Sequence, residues 1–259
     1  MPFTFAHPAI VLPLSRSRWF SFTALVCGSM APDFEYFLRM KPFSLYSHTL
    51  AGVFYVDLPL AWLMAVLFHH IVKQPMYACL PLYLQKGMYP AIAVPWKLDT
   101  WRKQIVFAYS AIFGSLTHLF WDSFTHKGAY FVEKFPSLQE SVTMFGMELP
   151  VYKLLQHGST CLGLAAIGFV LMRAVLRSGS EGCAVQAQLP WMHKCVYWLG
   201  IGAVGVAFAC VHSLVARGVA PWVSPLQNVV PLLSGILVGI VALSLLFGQP
   251  WSKKLGRFT

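Results

Sequence analysis

The sequence predicts an all-α protein, a polytopic helical membrane bundle, and three observations support this prediction. Hydrophobic residues make up 57% of the 259 residues and charged residues only 11%, whereas an ordinary soluble domain has about 25% charged residues. The apolar residues form several long blocks, and a helix needs about 20 such residues to cross a bilayer. The net charge is +10, which is typical of membrane proteins with basic cytoplasmic loops. Such a composition excludes a soluble domain, a disordered chain and a coiled coil.

Five segments are long and apolar enough, or nearly so, to cross a membrane. They are residues 50–72, 104–121, 159–176, 195–213 and 229–248. Residues 19–38 would make a sixth span only by carrying Pro32, Asp33 and Glu35 into the membrane or its interface. Residues 7–14 are too short to span, so we expect a short N-terminal helix that crosses half of the bilayer. The sequence therefore predicts about five or six transmembrane helices plus this short helix.

The connecting segments divide the chain. Residues 74–98 contain several prolines and aromatic residues, which favours an interfacial loop over a span. Residues 122–158 are polar, and residues 178–190 form a linker of small residues. We therefore predict a region 1–158 that carries the polar site, an N-terminal hairpin and two spans. Residues 159–259 would add three C-terminal spans to one continuous bundle.

The basic residues predict the orientation of the bundle. If residues 73–103 lie in the cytoplasm, 13 of the 19 Lys and Arg residues fall on that side and six on the other. Cytoplasmic loops of membrane proteins carry the excess of basic residues. We therefore expect a cytoplasmic C-terminus and an outward-facing 122–158 loop.

Ionisable residues collect at the predicted outer ends of the helices, where such residues are costly and usually functional. Asp33 ends the first helix, and His48 precedes the next span. His118 and Asp122 end the following helix at a spacing of i, i+4, which places both side chains on one helix face. His7 begins the short N-terminal helix and can reach the same side. We therefore predict that these five residues lie together.

Imidazole and carboxylate ligands suit Zn²⁺, Mn²⁺ or Fe²⁺. We predict a divalent metal cofactor of one or two ions, with Zn²⁺ first and Mn²⁺ or Fe²⁺ as alternatives; two ions would need one bridging carboxylate. Glu35 and His126 are the candidates for the general acid/base. The predicted metal ligands are His7, Asp33, His48, His118 and Asp122.

Plainer interpretations exist for the individual residues. A single histidine of this kind is more often a core or interfacial residue than a ligand, and Asp33 after a proline can simply end a helix. Asp57, like Glu35, is a candidate to orient a ligating imidazole. His157 is a candidate extra ligand or substrate contact, whereas His193 belongs to no cluster.

Five motifs carry a resemblance to a known family. They are MPFTFAHPAIVLPL, GSMAPDFEYF, SHTLAG, HLFWDSFTHKG and LLQHGS. Together they resemble the bacterial membrane family known as domain of unknown function 4184, over roughly residues 1–165. That family is similar to inner-membrane proteins described as metal-dependent hydrolases, and its motif order resembles the zinc-dependent phospholipase C and nuclease superfamily. The resemblance implies a site in the bacterial inner membrane with the ligands His7, Asp33, His48, His118 and Asp122.

The chain departs from the soluble superfamily in two ways. Six residues precede His7, where those enzymes use a processed N-terminal amine as a ligand. Their second His-x-x-x-acid pair has no counterpart, because Cys161 follows His157 at that spacing. These departures favour one or two ions over a trinuclear site.

We predict an integral-membrane, divalent-metal-dependent hydrolase. Its substrate would be a phosphoester or phosphodiester, with a lipid-linked phosphate at the outer leaflet as the candidate and membrane lipid as the partner. Nucleic acid is excluded as a partner because no Lys/Arg-rich tract exists. The alternative is a non-enzymatic protein with a structural metal that binds lipid or a partner, or a transporter. A transporter would place polar groups near the midplane, often in paired repeats, and the sequence shows no repeat.

Overall fold

A computed structural model describes residues 3–144, 146–178 and 189–255, and their regular secondary structure is helical apart from one β-hairpin. The prediction of an all-α helical bundle is therefore confirmed. Most of the predicted linker 178–190 lies outside the described residues.

The helical elements follow one another along the whole chain. They are a 3-10 helix (Thr4–Leu14), α1 (Phe22–Arg39), α2 (Val53–Ala78), α3 (Leu82–Ala93), α4 (Trp101–Thr125), α5 (Tyr130–Lys134), α6 (Val151–Ser178), α7 (Trp191–Ala216) and α8 (Val229–Leu255). Helix α2 contains π-helical turns at Val53–Asp57 and Phe68–Val72, and α7 ends in a third at His212–Ala216. Short 3-10 turns occur at Pro136–Leu138, Pro221–Val223 and Pro225–Asn228.

The β-hairpin lies in the polar segment between α5 and α6. Its strands are β1 (Ser141–Met144) and β2 (Met147–Pro150), which pair antiparallel with Ser141 opposite Pro150. Gly146 adopts a φ of 78° in the turn, a conformation that glycine tolerates at no steric cost. The segment 74–98, predicted as an interfacial loop, contains the end of α2 and the twelve-residue helix α3.

Four helical segments among the described residues are long and apolar enough to cross a membrane. They are Val53–Ala78, Val151–Arg177, Trp191–Ala216 and Pro225–Gly248. Helix α4, which contains the predicted span 104–121, has 25 residues, but its polar residues keep it outside this group. The chain is thus an integral membrane protein by the length and composition of its helices. The described residues contain four such helices, whereas the sequence predicted five or six.

The predicted short N-terminal helix forms, but as a 3-10 helix of 11 residues. Most 3-10 helices are only three or four residues long, and Pro8 and Pro13 lie inside this one. The residue before it is held by α6, because the Phe3 N–H donates to Thr160 Oγ1 at 3.0 Å. Residues at i and i+3 of a 3-10 helix lie on one face, so Thr4 and His7 point the same way.

Two compact units make up the chain. The first comprises Met1–Glu35, Ser44–Ala65 and Leu98–Met172, and the second comprises Tyr36–Phe43, Val66–Lys97 and Arg173–Thr259. All seven predicted site residues lie in the first unit. The second is built on α7 packed against α8, where the Tyr197 and Ser244 hydroxyls hydrogen-bond at 2.8 Å. The division of the chain at residue 158 stays a prediction.

Helices α1 and α4 of the first unit pack at backbone distance. A Cβ atom on Gly114 would lie 2.4 Å from the Leu25 carbonyl oxygen, and one on Gly28 would lie 2.1 Å from that of Ala111. The Ser115 hydroxyl donates to the Gly28 carbonyl at 3.0 Å across this contact. The close approach brings Asp33 of α1 and Asp122 of α4 to one place.

Candidate metal centre

Six of the predicted site residues meet in the first unit. They are His7, Asp33, His48, His118, Asp122 and His126. Four of them, two Asp and two His, each offer one ligand atom within 4.8 Å of the other three. They come from three separate elements, because Asp33 lies on α1, His48 on the loop before α2, and His118 with Asp122 on α4.

The four ligand atoms alternate between nitrogen and oxygen. His118 Nε2 lies 3.5 Å from Asp33 Oδ1 and 3.4 Å from Asp122 Oδ2. His48 Nε2 lies 3.6 Å from each of the same two oxygens. Both imidazoles therefore face both carboxylates at nearly equal distances.

These separations are too long for hydrogen bonds but fit a shared cation. An N–H···O bond normally measures about 2.7–3.2 Å. Ligand atoms at about 2.0–2.2 Å from a tetrahedral Zn²⁺ lie about 3.3–3.6 Å from one another. His118 Nε2 and Asp33 Oδ1 are buried without a hydrogen-bond partner among the described residues, and such groups cost about 1–3 kcal/mol each when left unpaired. A divalent cation would satisfy both atoms.

The ring of His118 is oriented by α1. Its Nδ1 lies 2.7 Å from the Ser29 carbonyl oxygen, and a carbonyl can only accept, so Nδ1 carries the proton. The lone pair is then on Nε2, the atom that faces the carboxylates. This arrangement is typical of metal-binding histidines, whose second ring nitrogen donates to a carbonyl or carboxylate.

His48 is oriented in the same manner by its neighbour. The Ser47 hydroxyl donates its single proton to the Pro32 carbonyl at 2.7 Å, so it accepts from His48 Nδ1 at 3.2 Å. The His48 lone pair is therefore also on Nε2. Burial lowers the pKa of His48, but the carboxylates of Asp122 and Asp33 outweigh burial, and the net shift raises the pKa above its ordinary value.

Asp33 is fully buried and bound on one side. The Thr4 hydroxyl donates to Asp33 Oδ2 at 2.7 Å, which leaves Oδ1 for the two imidazoles.

The two carboxylate oxygens of Asp122 face different histidines. Oδ2 faces His48 and His118, whereas Oδ1 lies 3.6 Å from His7 Nε2. The His7 ring stacks on that of His118 with centroids 3.7 Å apart.

His126 follows the last residue of α4 and folds back over it. Its Nδ1 lies 3.1 Å from the Asp122 carbonyl oxygen, so Nδ1 donates and the lone pair is on Nε2. That Nε2 is buried without a hydrogen-bond partner among the described residues. Burial lowers the pKa of His126 below its ordinary value.

Glu35 is held by the loop that carries His48. Its carboxylate accepts the backbone N–H groups of Leu45, Tyr46 and Ser47 at 2.9–3.1 Å. Burial raises the pKa of Glu35, but these N–H donors outweigh it and lower the pKa to about 2. The ionised side chain therefore fixes the loop.

Comparison with known families decides the family of this chain. The profile described as Domain of unknown function (DUF4184) matches residues 1–245. The chain belongs to this family. No curated protein and no solved structure matches it. The resemblance seen over residues 1–165 thus extends through nearly the whole DUF4184 chain.

The remaining polar candidates of this DUF4184 protein differ in burial. His157 is exposed on α6 and His193 is exposed at the start of α7. Asp57 ends the first π-helical turn of α2, fully buried, and both its carboxylate oxygens lack a hydrogen-bond partner among the described residues.

Three residues that support the DUF4184 centre were not predicted from the sequence. Thr4 and Ser47 orient a ligand through their hydroxyls, and Ser29 does so through its carbonyl. The 3-10 spacing of Thr4 from His7 and the adjacency of Ser47 to His48 are signals that a search for supporting residues could use. A backbone carbonyl such as that of Ser29 leaves no signal in the sequence.

Proposed function

We propose that this DUF4184 protein is an integral-membrane hydrolase that depends on a divalent metal and cleaves a phosphoester or phosphodiester. The observation that carries the proposal is the alternating set of ligand atoms from Asp33, His48, His118 and Asp122 at 3.4–3.6 Å. Zn²⁺ fits the mixed nitrogen and oxygen donors best, with Mn²⁺ and Fe²⁺ as alternatives.

The chemistry of such a site suits phosphoryl transfer to water. A bound divalent cation polarises a phosphoryl oxygen and lowers the pKa of a bound water to about 7. His126 is placed to move a proton, since its Nε2 lone pair is unpaired while Nδ1 is fixed by the Asp122 carbonyl. It would accept a proton from the attacking water and return it to the leaving group.

Glu35 acts in this proposal as a positioning residue. Its three backbone contacts hold the loop 45–47, and His48 follows directly. Both predicted acid/base candidates therefore have a role in this proposal. The carboxylate of Glu35 is occupied by the three N–H groups, so of the two residues His126 is the one with a lone pair left for proton transfer.

The arrangement of Asp122 supports a second ion. Its Oδ2 faces His48 and His118, while Oδ1 faces His7 Nε2 at 3.6 Å. A carboxylate that offers one oxygen to each side is suited to bridge two cations. We propose up to two ions per chain, and His7→Ala would remove the second while leaving the first.

We place the centre at the outer face of the bacterial inner membrane with the C-terminus in the cytoplasm. The basis is the unequal distribution of the 19 Lys and Arg residues between the two sides. A centre at the helix ends would meet phosphate groups at the membrane surface.

A structural metal site is the second candidate, and the full burial of Asp33 and His118 favours it. Saturated sites are structural, and catalytic zinc sites keep one position open. The side chains of His48 and His126 are 21% and 29% exposed, which favours an open side and therefore the hydrolase.

A turnover assay separates the two candidates. Purified protein loaded with Zn²⁺ or Mn²⁺ is given a p-nitrophenyl phosphodiester, and we expect turnover that a chelator abolishes. His126→Gln should lower kcat by about 10²–10⁴-fold with metal content retained, while His193→Ala should behave as wild type. If metal-loaded protein turns over no phosphoester, and metal removal only lowers Tm, the structural role is correct.

A further inference from the structure

The side chains of the candidate centre differ in exposure. Those of Asp33 and His118 are fully buried. The most exposed side chains of the cluster are those of His48 and His126. Lys127 follows His126 in the chain and is exposed, and a positive charge there suits an approaching phosphate.

The loop that carries His48 has a fixed shape. Its residues 45–47 donate three backbone N–H groups to Glu35. The Thr49 hydroxyl donates to the Tyr46 carbonyl at 2.8 Å and accepts from the Gly52 N–H at 2.9 Å. A Cβ atom on Gly52 would lie 1.9 Å from the Tyr46 carbonyl oxygen, so glycine is required there. The side chains of this loop are therefore presented in a defined arrangement.

Those side chains are apolar and exposed on both sides of His48. Leu45 is 55% exposed, Tyr46 53% and Leu50 72%. The exposed apolar surface continues into the first turn of α2 with Phe54 and Tyr55. Helix α2 is one of the segments that can cross a membrane, so this surface is continuous with a face that lipid would cover.

We infer that the exposed side chains of Leu45, Tyr46 and Leu50, which we name the tail surface, bind the hydrocarbon chain of a lipid-linked phosphate whose headgroup meets the metal centre. This inference builds on the proposed function and names its substrate class. The occupant is an amphiphile, because the surface is apolar, continuous with a membrane helix, and flanks His48, a partly exposed residue of the candidate centre. A soluble phosphoester would leave the tail surface uncovered.

Binding of alkyl phosphonates tests this inference without requiring turnover. Methylphosphonate and hexylphosphonate carry the same headgroup, and both are soluble as monomers. Their Kd values are measured by calorimetry on Zn²⁺-loaded protein held in amphipol. We expect hexylphosphonate to bind about tenfold more tightly or better, because apolar area is buried only with the longer chain.

Two matched variants locate the effect. The double variant Leu45→Gln, Leu50→Gln should bring the Kd of hexylphosphonate close to that of methylphosphonate, with the methylphosphonate Kd unchanged. Leu226→Gln is the control, because Leu226 is also an exposed leucine at the start of a membrane-crossing segment but belongs to the second unit, whereas all the candidate ligands lie in the first. It should leave both Kd values unchanged.

The outcomes separate this inference from the proposed function. The inference about the tail surface would be overturned by equal Kd values for the two phosphonates or by no binding of either. It would also be overturned if Leu226→Gln lost the preference for hexylphosphonate as fully as the double variant does. A preference of about tenfold or more for hexylphosphonate that only the double variant removes would support the inference, and a smaller preference would overturn it. If that preference holds while no phosphoester is turned over, lipid binding stands and the hydrolysis fails.

Discussion

Replacement of Gly114 by alanine should damage the metal centre from a distance. Gly114 lies on α4 one turn before His118, where a new Cβ atom would lie 2.4 Å from the Leu25 carbonyl oxygen and 2.8 Å from the Ser29 nitrogen. Real Cβ contacts are essentially never shorter than 3.0 Å, so the two backbones must separate by at least about 0.6 Å. Overpacking of this kind costs about 1–3 kcal/mol.

The same displacement reaches the ligands. The Ser29 carbonyl holds His118 Nδ1 at 2.7 Å, and Asp33 lies one turn further along α1. The metal–ligand distances of a sound site lie within about 0.2 Å of their usual values, and a shift of about 0.6 Å exceeds this range. Because loss of a supporting contact typically lowers metal affinity about 10–100-fold, we expect Gly114→Ala to weaken Zn²⁺ binding by at least tenfold.

The assay compares two Gly→Ala variants in detergent. Zn²⁺ affinity is measured by competition with a chromogenic chelator, and stability by thermal unfolding. Gly168→Ala is the control, because a Cβ atom there meets nothing within 4 Å and alanine favours a helix over glycine by about 0.8–1.0 kcal/mol. It should keep wild-type affinity and an equal or higher Tm. Wild-type affinity and Tm in Gly114→Ala would refute the tight α1–α4 packing and its link to the centre.

Three further predictions address the support of the centre and its orientation. Thr4→Val removes the hydroxyl that donates to Asp33 Oδ2 at 2.7 Å, so it should lower Zn²⁺ affinity by about 10–100-fold, whereas Thr4→Ser should keep the affinity. Equal affinities in the two variants would contradict a role of this hydroxyl in orienting Asp33. Glu35→Gln should lower the free energy of unfolding by about 1–3 kcal/mol, since it weakens a carboxylate that accepts three N–H groups, and an unchanged unfolding curve would show that the loop is held otherwise. In a background free of native cysteines, Ser137→Cys should react with an impermeant thiol reagent from outside and Met192→Cys only from inside; labelling of both from one side would reverse or refute the orientation.

The cluster of candidate ligands was predictable because its residues are polar where the neighbouring residues are apolar. Acidic and imidazole groups are costly in apolar helices, so Asp33, His118 and Asp122 stand out against their neighbours. The i, i+4 spacing of the last two places them on one face of any α-helix. His48 and His7 were found by a weaker argument, that all these helix ends share one side, and the observed geometry brings both to the cluster.

Other features depend on contacts between distant segments, which no local sequence pattern predicts. The need for glycine at positions 28 and 114 is visible only in the structure, where the backbones of α1 and α4 are in contact at these residues. The donors to Asp33 and Glu35 come from segments 29 and 10–12 residues away in the chain, and no local pattern links them. The N-terminal segment was predicted as a short helix, and the structure shows a 3-10 helix there. Pro8 and Pro13 lie inside it, and proline lacks the N–H group that the interior of an α-helix requires. Helix α4 reads as a span at positions 104–121, yet its buried serines and ligands lower its hydropathy.

Metal content of purified protein tests the central claim most directly. Elemental analysis is performed on the wild type, on Asp122→Asn, which keeps the side-chain shape, and on His193→Ala as a control. We predict one or two divalent ions per chain in the wild type and in His193→Ala, and loss of at least one ion in Asp122→Asn with an unchanged circular dichroism spectrum. A folded Asp122→Asn variant with the full wild-type metal content, or a wild type that binds no divalent ion when supplied with Zn²⁺, Mn²⁺ or Fe²⁺, would contradict the metal centre.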